Sequence, residues 1–265
     1  MRLISIVSGS SGNSTLIQSD NTNILVDAGV SRRNISKQLD ELGLKLTDLD
    51  GILVTHEHTD HCKGLAVISR NDKIPIYATE GTIEGILASY ISSSINKDML
   101  NIIKVKQNFK IGDIDIMPFN TFHDTIEPCG YTFSQKDKKS AVMTDTGTYD
   151  SNIVDALKEV NTLLIESNHD IDMLKNGTYP QFLKTRILSA VGHLSNEMCG
   201  QLLCEILHED INEILLGHLS IHNNTEDAAL KTVKKCIDSN QENHDSNDFK
   251  INVAKRNSIT KTKDF

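Results

Sequence analysis

The chain has 265 residues, 38% of them hydrophobic and 24% charged, which is the balance of a globular protein and excludes a disordered or fibrous one. Acidic residues outnumber basic ones 36 to 27, and a formal charge of -9 argues against a module that coats nucleic acid nonspecifically. No apolar run approaches the ~20 residues that span a bilayer, and the first residues lack a secretory signal, so a cytoplasmic protein without membrane contact is expected.

In chain order, short β-branched runs at residues 3–7, 15–18 and 24–26 read as strands, separated by the loop SGSSGNS (8–14) and by Asp20-Asn21. Ser31 starts a helix that places Ile35, Leu39 and Leu42 on one face and ends at Gly43. Residues 51–55 (GILVT) form a buried strand that runs straight into a histidine-rich loop. Helical stretches follow at 63–70 and 79–92, then strands at 114–119, 131–134 and 140–144. Further strands fall at 163–166 and 213–216, with helices at 179–190, 196–208 and 225–237. Residues 239–248 are polar and read as a solvated loop, 249–256 as a final strand, and 257–265 as a loose tail. Hairpin strands first and mixed strands and helices later predict an α/β sandwich, sheets covered by helices, in one domain over 1–265. The five cysteines, Cys62, Cys129, Cys199, Cys204 and Cys236, lack CxxC spacing and read as reduced, mostly buried thiols.

The strongest chemical signal is Thr55-His56-Glu57-His58-Thr59-Asp60-His61, directly after an apolar strand. A tight turn there can point His56 and His58 one way and Asp60 and His61 another, which suits two adjacent metal ions. A merely histidine-rich surface loop would not also come with distant partners of matching type. Here His123 follows IMPFNTF, Asp145 follows SAVMT and His218 follows EILLG, each at the end of an apolar run. Nitrogen and oxygen donors without thiolate fit two divalent ions, zinc or manganese or else iron. Such a pair can lower the pKa of a shared water toward about 7 and so ready hydroxide at neutral pH.

These residues resemble the metallo-β-lactamase superfamily, whose motifs run as an early aspartate, HxHxDH, and then His, Asp and His. The resemblance covers nearly the whole chain and implies an αββα sandwich with metals at one edge between two mixed sheets. It implies that His56, His58 and His123 hold one ion, that Asp60, His61 and His218 hold the other, and that Asp145 bridges them. Asp27 matches the family's carboxylate that orients the loop from behind. Asp60, beside the water, is also a candidate to orient it or take its proton.

The segments TLLIESNHD, AVGHLSNEMCGQLL and EILLGHLSIHNN resemble the phosphodiesterase and nuclease branch, which includes tRNA 3′-processing endonucleases. That likeness implies that Glu166 and His193 assist the leaving group, because expulsion of an alkoxide calls for a general acid. Ser10, Ser11 and Asn13 of the SGSSGNS loop, and His222 past the last ligand, are candidate substrate contacts. The loop and the GHLSN and GHLSxHNN wording resemble WalJ/YycJ-type exonucleases, which implies a 5′→3′ exodeoxyribonuclease acting on DNA. The stretch from Asp145 to His193 leaves no room for a β-CASP domain, and no Gly/Pro-rich arm lies between His61 and His123. Local basic residues such as Arg32, Arg33, Lys184 and Arg186 would then grip the substrate. The alternatives are a small-molecule or RNA phosphodiesterase with the same centre, and a diiron redox or sensor protein. No obligate protein partner is evident.

Overall fold

Several strands of this chain are apolar on both faces, as GIL, SAVM, TLLI and EILL show, so each sheet needs a cover on either side. The computed structural model, which describes residues 1–240 and 244–263, supplies those covers as an αββα sandwich. The first part of the chain contributes β1 (Arg2–Val7), β2 (Ser14–Gln18), β3 (Asn23–Val26), β4 (Gly51–Leu53), β5 (Ile76–Thr79) and β6 (Leu100–Ile103). Helices α1 (Arg32–Asp40), α2 (Thr59–Cys62), α3 (Leu65–Asn71) and α4 (Glu80–Ala88) lie between them in sequence. The second part contributes β7 (Phe109–Ile111), β8 (Ile114–Asn120), β9 (Cys129–Gln135), β10 (Lys138–Met143), β11 (Thr162–Glu166), β12 (Glu213–Gly217) and β13 (Ile251–Val253). Its helices are α5 (Ser151–Leu157), α6 (Ile171–Asn176), α7 (Gln181–Ile187), α8 (Asn196–Ile206) and α9 (Glu226–Asp238). A last short strand, β14 (Thr260–Lys261), returns to β1.

The strand orders are β14-β1-β2-β3-β4-β5-β6 and β13-β12-β11-β10-β9-β8-β7. Each sheet begins with antiparallel hairpins and continues through parallel strands, from β3 to β6 in one and from β10 to β13 in the other. Successive side chains on a strand point to opposite faces. Leu163 and Ile165 accordingly meet the helices α5 and α8, whereas Leu164 faces the other sheet, packed with Leu3, Val26, Leu53, Tyr131 and Val142. Ile52 and Leu53 divide the same way, Ile52 toward the helix layer and Leu53 toward the middle. Parallel pairing in register brings Val26 beside Leu53, and Glu166 beside Gly217. The carboxyl ends of β3, β4, β10, β11 and β12 are thereby gathered at one edge of the sandwich, where the polar residues that follow them meet.

The expected helix starts match well: Ser31 caps α1 by accepting from the Asn34 N–H, and Ser195 and Thr225 cap α8 and α9 in the same manner. α2, β5, β6, β7, α5 and α6, each three to seven residues long, were not singled out from the sequence. The tail at 257–265 needs correction. Thr260 and Lys261 pair with Ser5 and Ile4, and the buried Thr262 hydroxyl donates to Leu3 O at 2.8 Å, so main-chain pairing holds a segment whose side chains show no apolar pattern. Residues 264–265 of that tail, and 241–243 of the expected polar loop, lie outside the described residues. The rest of the loop includes a 3-10 turn at Ser246–Asp248, with Ser246 buried against Asp238. Among the described residues, no helix is long and apolar enough to cross a membrane.

Candidate metal centre

β4 ends at Leu53, and Val54 and Thr55 carry the chain into the loop, where His58 is the N-cap of the four-residue helix α2. Asp27, just past β3, holds this loop from behind. Its carboxylate accepts from Thr55 N at 2.8 Å, Thr55 Oγ1 at 2.9 Å and His61 Nδ1 at 2.7 Å. A carboxylate only accepts, so His61 Nδ1 carries hydrogen and Nε2 is the atom left to bind. The Thr55 hydroxyl has given its one proton to Asp27, so it accepts from His56 Nδ1 at 3.0 Å and leaves His56 Nε2 bare. His123 Nδ1 donates to Gly192 O at 2.9 Å, and His218 Nδ1 to Glu166 Oε1 at 2.7 Å, with the same consequence for their Nε2 atoms. Four ring orientations are thus fixed by acceptors behind them, the arrangement that metal-binding histidines need.

The freed atoms converge. His56, His58 and His123 form one group whose ligand atoms lie within 4.8 Å of one another, and Asp60, His61 and His218 form a second. Asp145 joins His56 and His61 in a third group, and Glu166, His193 and His218 in a fourth. His123 Nε2 lies 3.2 Å from His58 Nδ1 and 3.7 Å from Asp145 Oδ1, while Asp60 Oδ2 lies 3.6 Å from His218 Nε2. The histidines and carboxylates expected as metal ligands are therefore brought together in space.

The residues fit cations on three counts. His56 Nε2, His218 Nε2 and Asp145 Oδ2 are buried without a hydrogen bond, Asp145 Oδ2 lying 3.0 Å from His61 Nε2 without alignment. Orphaned buried polar atoms cost about 1–3 kcal/mol each and call for a partner. Electrostatics agree. Burial lowers His56 well below the ordinary imidazole value, so it is an unprotonated donor. Burial would lower His61 and His218 too, but Asp27, Asp145 and Asp60 raise His61 well above the usual value, and Asp145, Asp60 and Glu166 push His218 up to about 10. A pocket that draws positive charge this strongly onto imidazole favours a metal cation. Finally, Asp27, Asp145 and His218 have φ of 62°, 57° and 55°, a left-handed conformation unfavourable for residues with a Cβ. The other non-glycine residues with positive φ, Lys73, Lys106, Lys136 and Glu159, are all exposed, whereas these three are buried at the site.

Close approach matters at Gly29, where a Cβ would stand 1.6 Å from Asp60 O, so only glycine lets the Asp27 turn touch the metal loop. Glu57, inside the histidine loop, faces away and accepts from Ile126 N, tying that loop to the turn after His123. Ser8 was not singled out from sequence, yet its hydroxyl accepts from His218 N at 2.8 Å and joins the two sheets behind the centre.

A pocket of about 210 Å³ opens over these atoms, lined among others by Ser10, His58, Asp60, Asp145, Tyr179, Arg186, His193 and His218. His193 Nδ1 donates to Glu166 Oε1 at 2.8 Å and lies 3.4 Å from Asp145 Oδ1, while its Nε2 has no hydrogen-bond partner among the described residues. Glu166 itself is fully buried, and its other oxygen accepts from Thr146 N and Leu194 N. Burial would raise its carboxyl, but the charge and hydrogen bond of His193 and the hydrogen bond of His218 hold it at about 2. Glu166 thus holds both His193 and His218 and is not among the residues lining the pocket.

The remaining sequence candidates scatter. Ser10 lines the pocket; Ser11 is exposed outside its lining; Asn13 is buried, accepting from Gly9 N at 2.9 Å with its amide 3.1 Å from His61 Nε2. His222 is exposed at the rim, its ring edge-on to Tyr179 at 5.7 Å. Arg32 pairs with Asp72 and does not line the pocket, whereas Arg186 lines it and pairs with Asp124. Tyr179 and Asp124 had no signal in the sequence, since each gains its place only through contacts with distant segments.

Comparison with known proteins agrees with this centre. The model of the beta-lactamase superfamily domain matches residues 22–209. The chain is 36% identical to exodeoxyribonuclease YycJ of Bacillus anthracis over 88% of each chain. It is 38% identical to exodeoxyribonuclease WalJ of Streptococcus pneumoniae serotype 2 over 86% of this chain and 85% of that protein. Two solved structures share the fold over 98% of this chain and 99% of theirs. They are the metallo-beta-lactamase fold protein YhfI of Bacillus subtilis, TM-score 0.71 at 18% identity, and Zn(2+)-bound PqqB of Methylobacterium extorquens, TM-score 0.74 at 14% identity. With the family's metal loop, strand-end ligands and sandwich all present, the chain belongs to the metallo-β-lactamase superfamily and is a metal-dependent hydrolase.

Proposed function

We propose that this chain is a 5′→3′ exodeoxyribonuclease that hydrolyses the phosphodiester bonds of DNA in the cytoplasm, in one domain over 1–265. The observation that carries the reading is His193, an imidazole held by Glu166 at the mouth of the cation pocket, its Nε2 without a partner among the described residues. Hydrolysis of a phosphodiester expels an alkoxide, and a positioned imidazole can protonate it as it leaves. The identity to YycJ and WalJ, both named exodeoxyribonucleases, supports DNA as the polymer.

Two divalent cations, zinc or manganese, would be held by His56, His58 and His123 and by Asp60, His61 and His218, with Asp145 between them. Bound there, they would acidify water and neutralise phosphate charge. The side chains divide the remaining work. Asp60 keeps a carboxyl lowered below the usual range, because His61 and His218 outweigh the effect of its burial, and it would orient water and accept its proton. His193 Nε2 delivers a proton to the leaving ester oxygen, so one proton is taken and one returned. Asp27 and Glu166 keep the imidazoles in their working tautomers.

The test uses purified protein with 5′-phosphorylated duplex DNA, single-stranded DNA, RNA and an aryl phosphodiester, each titrated with manganese and zinc. Stepwise shortening of DNA from the 5′ end is expected. Hydrolysis of the aryl phosphodiester with DNA left intact would favour a small-molecule phosphodiesterase instead.

A further inference from the structure

Phe182 is 75% exposed on a helix whose adjoining flank lines the metal pocket. Leu183, Arg186 and Ile187 of α7 line that pocket together with Tyr179, which precedes the helix. Phe182 lies four residues before Arg186 and is therefore its neighbour on the helix surface. Scattered exposed hydrophobics are ordinary, but these are not scattered. Eight large hydrophobic residues are exposed among the described residues, and four of them, Phe182, Leu188, Val191 and Ile221, lie on the segments 179–193 and 218–222 that wall the pocket.

Beside this apolar rim stands one cation with unused donors. Arg186 donates its Nε and Nη2 to the two oxygens of Asp124, and its Nη1 has no partner among the described residues. Asp124 Oδ1 is 3.6 Å from His123 Nε2, so the pair anchors the guanidinium at the edge of the metal centre. An arginine fixed on one edge keeps the other for a phosphate, which a lysine could not do.

The charge balance narrows what this surface can hold. At a formal charge of -9 the protein cannot grip a polyanion by general attraction, so affinity must come from local contacts at the site, including ones that do not depend on charge. Stacking of bases on aromatic rings is such a contact, and it requires a base whose face is open, as at an unpaired strand end. We infer that Phe182 and Tyr179, with Arg186 Nη1 on an adjoining phosphate, form a stacking platform that holds the terminal nucleotides of a single DNA strand over the metal centre. This inference rests on the nuclease reading of that centre.

The experiment uses a single-stranded oligonucleotide with cleavage-resistant phosphorothioate links and 2-aminopurine at its 5′ end, mixed with the full chain and manganese. Quenching of 2-aminopurine is expected on binding, with log affinity falling against log salt at a slope of about -0.7 to -1.4, as for one or two neutralised phosphates of a single strand. Phe182→Ala should weaken binding at least about fivefold and relieve the quenching, and Phe182→Trp should restore both. Arg186→Lys should weaken binding while the quenching at saturation persists. Because Phe182 is exposed, its replacement does not threaten the core. The platform is overturned if Phe182→Ala and Tyr179→Ala bind and shorten DNA like the unaltered chain, or if they change only its mass in solution. Failure of the unaltered chain to degrade any DNA with either metal would overturn the nuclease reading and this inference together.

Discussion

His193 and His218 share one oxygen: Glu166 Oε1 accepts from His193 Nδ1 at 2.8 Å and from His218 Nδ1 at 2.7 Å. One buried carboxylate thus orients both a proposed metal ligand and the imidazole at the mouth of the pocket. The two histidines should separate under mutation. His193→Ala is expected to lower kcat by about 10²- to 10⁴-fold with metal content unchanged. Glu166→Gln must aim an amide N–H at donors on one side or the other, so it should also lower metal affinity by about 10- to 100-fold. Metal analysis beside single-turnover kinetics checks both, and loss of metal from His193→Ala would show that His193 is a ligand.

Asp60→Ala is expected to abolish turnover on a 5′-phosphorylated duplex with manganese, because it removes a member of one ligand group and the acceptor for the water proton. Chelation should lower Tm as well as activity. A site at 100 times its Kd contributes about 2.7 kcal/mol to stability. Calorimetry with and without EDTA reads the first effect. Unchanged activity in Asp60→Ala would mean that the loop has been assigned wrongly.

Tyr131 is buried in the middle layer, and its hydroxyl donates to Val54 O at 2.7 Å, one residue before the Thr55 that Asp27 holds. Tyr131→Phe keeps the packing but leaves a buried carbonyl unpaired, a cost of about 1–3 kcal/mol. Urea unfolding should show that loss. An unchanged midpoint would mean that the carbonyl finds another donor.

Far from the pocket, Asp113 accepts from Ser19, Thr22 and Gln135 at 2.6 to 2.7 Å and clasps the β7–β8 turn to the β2–β3 turn. The Ser19 hydrogen bond, followed by that of Thr22, holds its carboxyl at about 2, below the ordinary 3.8. A carboxyl depressed in the folded chain stabilises fully above its unfolded pKa, and that contribution fades as pH falls from near 4 toward 2. The Tm gap between the unaltered chain and Asp113→Asn should be widest above pH 5 and shrink below pH 3. A gap independent of pH would sink the assignment.

Much of the site is legible in the sequence because it is local. His56, His58, Asp60 and His61 fall within six residues after an apolar strand, and His123, Asp145 and His218 each follow another. Asp27 and Glu166 do not announce their function alike: Asp27 stands in ILVDAG and Glu166 in TLLIES, and only family likeness separates them from other strand-end acids. The pairing of Arg186 with Asp124, 62 residues apart, leaves no trace in either segment. The same holds for Ser8 and His218, separated by 210 residues.

Periodicity and residue type are enough for the sandwich, the strand-end histidines and the preference for nitrogen and oxygen ligands, since these depend on neighbours along the chain. Which imidazole nitrogen is free, which carboxylate stands behind it, and that a two-residue strand at 260–261 closes the first sheet, depend on register between distant strands. Register moves side chains by whole residues, several ångströms at a step, whereas a hydrogen bond tolerates only a few tenths. That mismatch in scale is why the chemistry can be read from the chain and the geometry only from the fold.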